Sequence, residues 1–189
     1  MNLKVIEGPK ADVLTLEEVK SHLRVDGDDE DSIISSYIKA AREYAEIFTG
    51  RSFVEKTYEY VVNPKEKYAY IELPMPPLIE VLEVLCVDKN NQELKLTEGY
   101  DYYVLKGYDE SLIYPSLERG WPKESLERIG SIKIKYRTGY SEAPMPVKQA
   151  ILILTSHFYE SRENLTTKDY KEIPFGVSTL LRPFWVPRW

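Results

Sequence analysis

Two histidines, a single cysteine and one dense run of carboxylates are the residues of this chain whose types suit chemistry. The run lies in "RVDGDDEDSII": Asp26, Asp28, Asp29, Glu30 and Asp31, interrupted by Gly27. A calcium loop of the EF-hand kind uses such oxygens, but it needs glycine at its sixth position and a bidentate glutamate at its twelfth. Counted from Asp26, those positions hold Asp31 and Tyr37. Carboxylates at a helix start meet free amides and the positive end of the helix dipole. The run is therefore read as a helix start and not as a metal site.

His157 adjoins Ser156 in "LTSHFYESRE", inside a helical pattern where adjacent side chains point apart. A Ser-His-Asp relay requires them within hydrogen-bond reach, so neither His157 nor His22 is assigned to catalysis. Cys86, in the apolar run "VLEVLCVD", reads as a buried strand cysteine. The chain contains no GxxxxGK[ST], GxGxxG or HExxH. No catalytic residue, cofactor or metal ligand is expected. Carboxylates are plentiful, so two alternatives stay open: an enzyme with an unrecognised carboxylate metal site, and a small ligand-binding module.

The elements that must position these groups are legible from periodicity. "TLEEVKSHLR", residues 15–24, reads as a short helix opened by a capping box of Thr15 and Glu18, with Leu16, Val19 and Leu23 on one face. Residues 31–49 read as a longer helix. Its stripe is Ile33, Ile34, Tyr37, Ile38, Ala41, Tyr44, Ala45 and Phe48, and Gly50 is its left-handed stop. From Phe53 to Tyr140 the pattern alternates and carries β-formers, in "TYEYVV", "YAYIEL", "IEVLEVLCV", "ELKLT", "YDYYVL" and "SIKIKYRTGY". A third helix is expected over 147–162, with Pro146 in its first turn and Ala150, Ile151, Ile153, Leu154 and Phe158 apolar. A polar loop, "NLTTKDYKE", leads to a last helix near 175–182, stopped by Pro183. The expected fold is α+β: a mainly helical core, with an antiparallel β region inserted between the second and third helices. The domain expectation is one domain over 1–189, with 53–140 as the inserted β-rich region.

Composition bounds the function. With 43% hydrophobic and 30% charged residues the chain reads as soluble and globular, and an intracellular origin is the simplest inference. No apolar run reaches bilayer length, so no membrane is expected as a partner. The 25 basic residues are scattered among 31 acidic ones, giving a net charge of −6. That argues against tight duplex binding by the monomer, which relies on clustered Lys and Arg. The end, "RPFWVPRW", is poor material for a disordered tail. Exposed, it would form a sticky patch, so it docks either on its own domain or on a neighbouring subunit. The neighbour is preferred here, which makes Phe184, Trp185, Arg188 and Trp189 candidate interface residues.

Four ordered segments carry a family resemblance: "LTLEEVKSHLRVDGDDEDSIISSYIKAAREYAEIFTGRSF", "ELPMPPLIEVLEV", "YRTGYSEAPMPVKQAILILTSHFYESRE" and "IPFGVSTLLRPF". From about Leu14 to Phe184 the chain resembles the tailed-phage head–tail connector (adaptor) proteins, a group also associated with DNA packaging. The resemblance implies a structural subunit of a phage or prophage virion at the head–tail junction, passing through the host cytoplasm during assembly. It implies a homo-oligomeric ring beneath the portal protein, joined to a tail or stopper protein, with double-stranded DNA passing through non-specifically. It transfers no catalytic residues. It makes the helices the ring-building part and the sheet region an elaboration.

Overall fold

The computed structural model describes residues 2–123, 130–161 and 175–187. The chain divides into two compact units: Met1–Pro9 with Glu55–Tyr140, and Lys10–Val54 with Ser141–Trp189.

The first unit is built of strands. A five-stranded antiparallel sheet runs β1 (Asn2–Glu7), β2 (Lys56–Val62), β8 (Ile132–Thr138), β4 (Leu78–Val87), β5 (Glu93–Leu96). A second antiparallel sheet runs β3 (Ile71–Glu72), β7 (Ser111–Pro115), β6 (Tyr102–Lys106). Strand β8 shows why these segments become sheet. Ile132, Ile134 and Tyr136 are buried, while Lys133, Lys135 and Arg137 alternate with them at partial exposure, the period-2 pattern of a sheet with one face packed. The core joins these residues to Tyr58, Ile71, Leu73, Val84, Leu96, Ile113 and Trp121. Trp121 is held twice: its indole Nε1 donates to the Ala69 carbonyl at 2.6 Å and its amide to the Lys67 carbonyl at 2.8 Å.

The second unit is helical: α1 (Leu16–Leu23), α2 (Asp31–Thr49), α3 (Met145–Ser161) and α4 (Phe175–Leu181), followed by a 3-10 turn, Arg182–Phe184. Thr15 and Glu18 form the capping box, with the Thr15 hydroxyl accepting from the Glu18 amide and the Glu18 carboxylate from the Thr15 amide. The hydrogen bond from the Thr15 amide holds the Glu18 carboxyl below its ordinary pKa. Arg24 takes the left-handed conformation that closes α1, and Gly50 does the same for α2. Helices α2 and α3 pack together, burying Ile34, Ile38, Ala41 and Ala45 together with Val147, Ala150, Ile151 and Leu154.

Two expectations are corrected. The fold is α+β but not mainly helical, because the sheets carry an independent core. Nor is the order a helical core with β structure confined to an insertion. The chain opens on β1, which pairs with β2 some fifty residues on: Leu3 opposes Tyr60 and Val5 opposes Tyr58. The residues of the expected polar loop, "NLTTKDYKE", lie outside those described, as does Arg162 at the expected end of the third helix.

Candidate assembly surfaces

The acidic turn is anchored by a cation. Lys20 Nζ reaches Asp31 at 2.7 Å and Asp28 at 3.1 Å, ion pairs that raise the lysine pKa. The turn leads into α2, but not through a side-chain cap: Glu30, the cap residue, makes no capping hydrogen bond, and the Asp31 amide donates to the Asp28 carbonyl. Glu30 instead accepts a hydrogen bond from the Tyr159 hydroxyl of α3. The run is thus the start of α2, tied to α1 and α3 by side chains. Among the described residues, no group of three His, Cys, Asp or Glu side chains is placed to hold a metal ion.

His22 and Ser156 line one shallow cleft of about 230 Å³ with Leu23, Arg24, Tyr159 and Glu160, a meeting the sequence did not reveal. It is not a relay. The Ser156 hydroxyl donates back to the Leu152 carbonyl at 2.9 Å, the ordinary use of a serine within a helix. His157 lies next to Phe158, with ring centroids 6.3 Å apart. Cys86 is buried in β4.

A buried ionic chain fixes the two ends of the segment that holds α1 and α2. Arg42 Nε donates to Asp12 at 3.0 Å and its guanidinium to Glu46 at 3.1 Å, while Glu46 also accepts from the Phe53 amide at 3.0 Å. Arg42 and Glu46 are each 3% exposed. A buried pair holds its place only when its remaining polar atoms are satisfied, which is what Asp12 and Phe53 provide.

The C-terminal arm lies partly against its own helical unit. Arg51 Nε donates to the Phe184 carbonyl at 2.6 Å, the Phe184 ring meets Phe53 edge-on at 6.3 Å, and the Val186 amide donates to the Thr49 carbonyl at 2.8 Å. Trp185 stands out at 56% exposure. Arg188 and Trp189 lie outside the described residues.

On the small sheet, Tyr103 of β6 opposes Tyr114 of β7, and the Tyr70 ring lies 5.7 Å from that of Tyr114. All three are exposed. Glu72 shares this face by strand alternation, opposite Leu112. Burial raises its carboxyl pKa, and the charge of Glu110 adds to the rise. A carboxyl with a raised folded-state pKa ionises more readily when unfolded, so it opposes folding above the carboxylate range and not below it. Glu72→Gln is expected to raise the melting temperature at pH 7, with the gain vanishing as the pH falls through the carboxylate range. A pH series of thermal melts checks this; no gain at pH 7 contradicts it.

Two antiparallel sheets and a helical unit tied by ionic and aromatic links define an α+β fold. Residues 13–98 match the family model described as "Phage gp6-like head-tail connector protein". The connector resemblance of the sequence is thereby borne out. Solved structures share the fold along the whole chain. A chain of the "Neck of empty GTA particle computed with C6 symmetry" superposes with a TM-score of 0.80 at 21% identity. One of the "Neck of native GTA particle computed with C12 symmetry" gives 0.78 at 21%, and one of the "Virion of native gene transfer agent (GTA) particle" gives 0.79 at 20%. Each match covers 100% of this chain and 97% of the other. No curated protein sequence matches.

Proposed function

We propose that this chain is a structural head–tail connector subunit. Identical copies form a ring at the neck of a virion, between a portal protein and a tail or stopper protein, and double-stranded DNA passes through. The observation that carries the reading is the full-length likeness to neck chains of GTA particles, joined to the connector-family match over residues 13–98. The whole of 1–189 acts as one connector-type subunit, with 53–140 as its inserted β-rich region. It assembles from the host cytoplasm and performs no catalysis. The net charge of −6 suits a channel through which DNA must slide, because a wall of Lys and Arg would grip phosphates.

Co-expression with the portal protein of the same particle tests the reading. A co-purifying complex with rotational symmetry is expected; a portal that purifies without this chain contradicts it. Millimolar magnesium, manganese or calcium is expected to leave the melting temperature unchanged, whereas a metal-site enzyme would be stabilised by a metal that binds its native state.

The arm is proposed as an assembly contact through Phe184, Trp185, Arg188 and Trp189, with the exposed Trp185 as its anchor, since large aromatics dominate interface energies. Trp185→Ser is expected to weaken ring or portal association by tenfold or more, about 1.4 kcal/mol, with an unchanged melting temperature. A fall in monomer stability with intact association would return Trp185 to its own unit.

A further inference from the structure

We propose that the five-stranded sheet continues from one subunit to the next, with β5 of one copy pairing in parallel with β1 of its neighbour. The inference rests on the ring reading above and adds the surface that closes the ring. A cyclic ring needs two different, complementary surfaces on each subunit. The sheet ends in two different edges, β1 and β5.

Both edges expose apolar side chains between their charged ones. Strand β1 is exposed along most of its length, with Val5 at 48% and Ile6 at 39%, and Leu94 of β5 is at 57%. Val5 and Leu94 lie on the same face of the sheet. Val5 opposes the buried Tyr58, and Leu94 opposes the buried Cys86. The apolar face of the core thus runs out to both edges.

The other face fixes direction and register. Every pairing in the sheet is antiparallel, so β1 and β5, four steps apart, run the same way. Rotation about a ring axis preserves strand direction, so β5 meets the next β1 in parallel. Across this face the charges alternate, Lys4, Glu59, Lys135, Glu83, Lys95. Lys4, Glu59 and Lys135 oppose in register, as do Lys135 and Glu83, and Glu83 pairs with Lys95 at 3.0 Å. The ion pair of Glu83 with Lys95 is diagonal: in sheet register Lys95 opposes Leu85 and lies level with Asn2, by way of Lys133 and Val61, so an unstaggered junction pairs no charge of β5 with one of β1. A four-residue stagger brings opposite charges together. Lys4 then meets Glu93, Val5 meets Leu94, and the irregularity between Val5 and Glu7 brings Glu7 to Lys95. Sheets that close on themselves require a stagger of this kind.

Cysteine cross-linking tests the junction on the full chain. The double variant Val5→Cys, Leu94→Cys, made like each single variant with Cys86→Ala to remove the native thiol opposite Leu94 and mildly oxidised at concentrations where the wild-type ring is seen by native mass spectrometry, is expected to give a disulfide ladder up to ring size. A mixture of the two single variants is expected to give dimers only, and each single variant alone to stay unlinked. A wild-type ring whose double variant forms no ladder overturns the junction and leaves the ring reading standing. Linkage of Val5→Cys alone would show β1 against β1 and overturns it too. A wild-type chain that forms no ring, alone or with the portal, overturns both. A second arm needs no cysteine: Lys4→Glu is expected to weaken assembly and Lys4→Glu with Glu93→Lys to restore it, although both changes lower the monomer melting temperature modestly, because Lys4 opposes Glu59 and Glu93 pairs with Lys133.

Discussion

Leu154→Asp is expected to unfold the helical unit. Leu154 is 0% exposed, and it lies in the apolar layer where α3 meets α2. The variant buries a carboxylate with no partner in a layer of Ile34, Ile38, Ala41 and Ala45. Such a substitution costs on the order of 4–5 kcal/mol or more, comparable to the whole stability of a typical domain, about 5–15 kcal/mol. Ile38→Asp approaches the same layer from α2 and is expected to do the same. Leu154→Met, nearly conserving volume, is expected to cost under about 1.5 kcal/mol. Circular dichroism at 222 nm during heating reads the loss of helix. Full thermal stability in either aspartate variant would contradict the packing of α2 on α3.

Trp121→Ala is expected to destabilise the sheet unit by about 3–5 kcal/mol, the usual cost of truncating a large buried aromatic. Trp121 is 1% exposed, and its indole donates to the Ala69 carbonyl, so truncation leaves both a cavity and an unanswered carbonyl. Trp121→Phe separates the two effects, retaining most of the volume and losing the donor. Its expected cost is about 1–3 kcal/mol. The denaturant midpoint with an unchanged slope is the readout. A loss under 1 kcal/mol for the alanine variant would mean that Trp121 does not seal this core.

The parts legible in the sequence were those set by local periodicity. The stripe from Ile34 to Ala45, the capping box of Thr15 and Glu18 and the stop at Gly50 are nearest-neighbour signals, and the structure uses each of them. Arg42, Glu46 and Thr49 follow the same stripe and are buried, yet they read as solvent-facing because polar residues are rarely buried without partners. Arg42 and Glu46 satisfy one another, Thr49 donates to the Ala45 carbonyl and Glu46 accepts from the Phe53 amide, but Asp12, the second partner of Arg42, lies thirty residues away. Strand β1 was missed because its pairing partner lies across the whole helical segment that follows it. Strand β7, "SLIYP", was hidden by Pro115, a residue that argues against a central strand. It is tolerated because it falls at the end of the strand, opposite Tyr102.

The same reasoning applies to the surfaces. The exposed character of Trp185, and the separation of Phe184 and Val186 from it, follow from hydrogen bonds to Arg51 and Thr49 that lie far off in sequence. The alternating charge row from Lys4 to Lys95 draws one residue from each of five strands, so it exists only once the register is set.

Native mass spectrometry over a concentration series, alone and with the co-expressed portal protein, tests the connector reading most directly. The expected result is a closed ring of identical copies, formed by the chain at high concentration or on the portal. A chain that stays monomeric at every concentration and ignores the portal would contradict it.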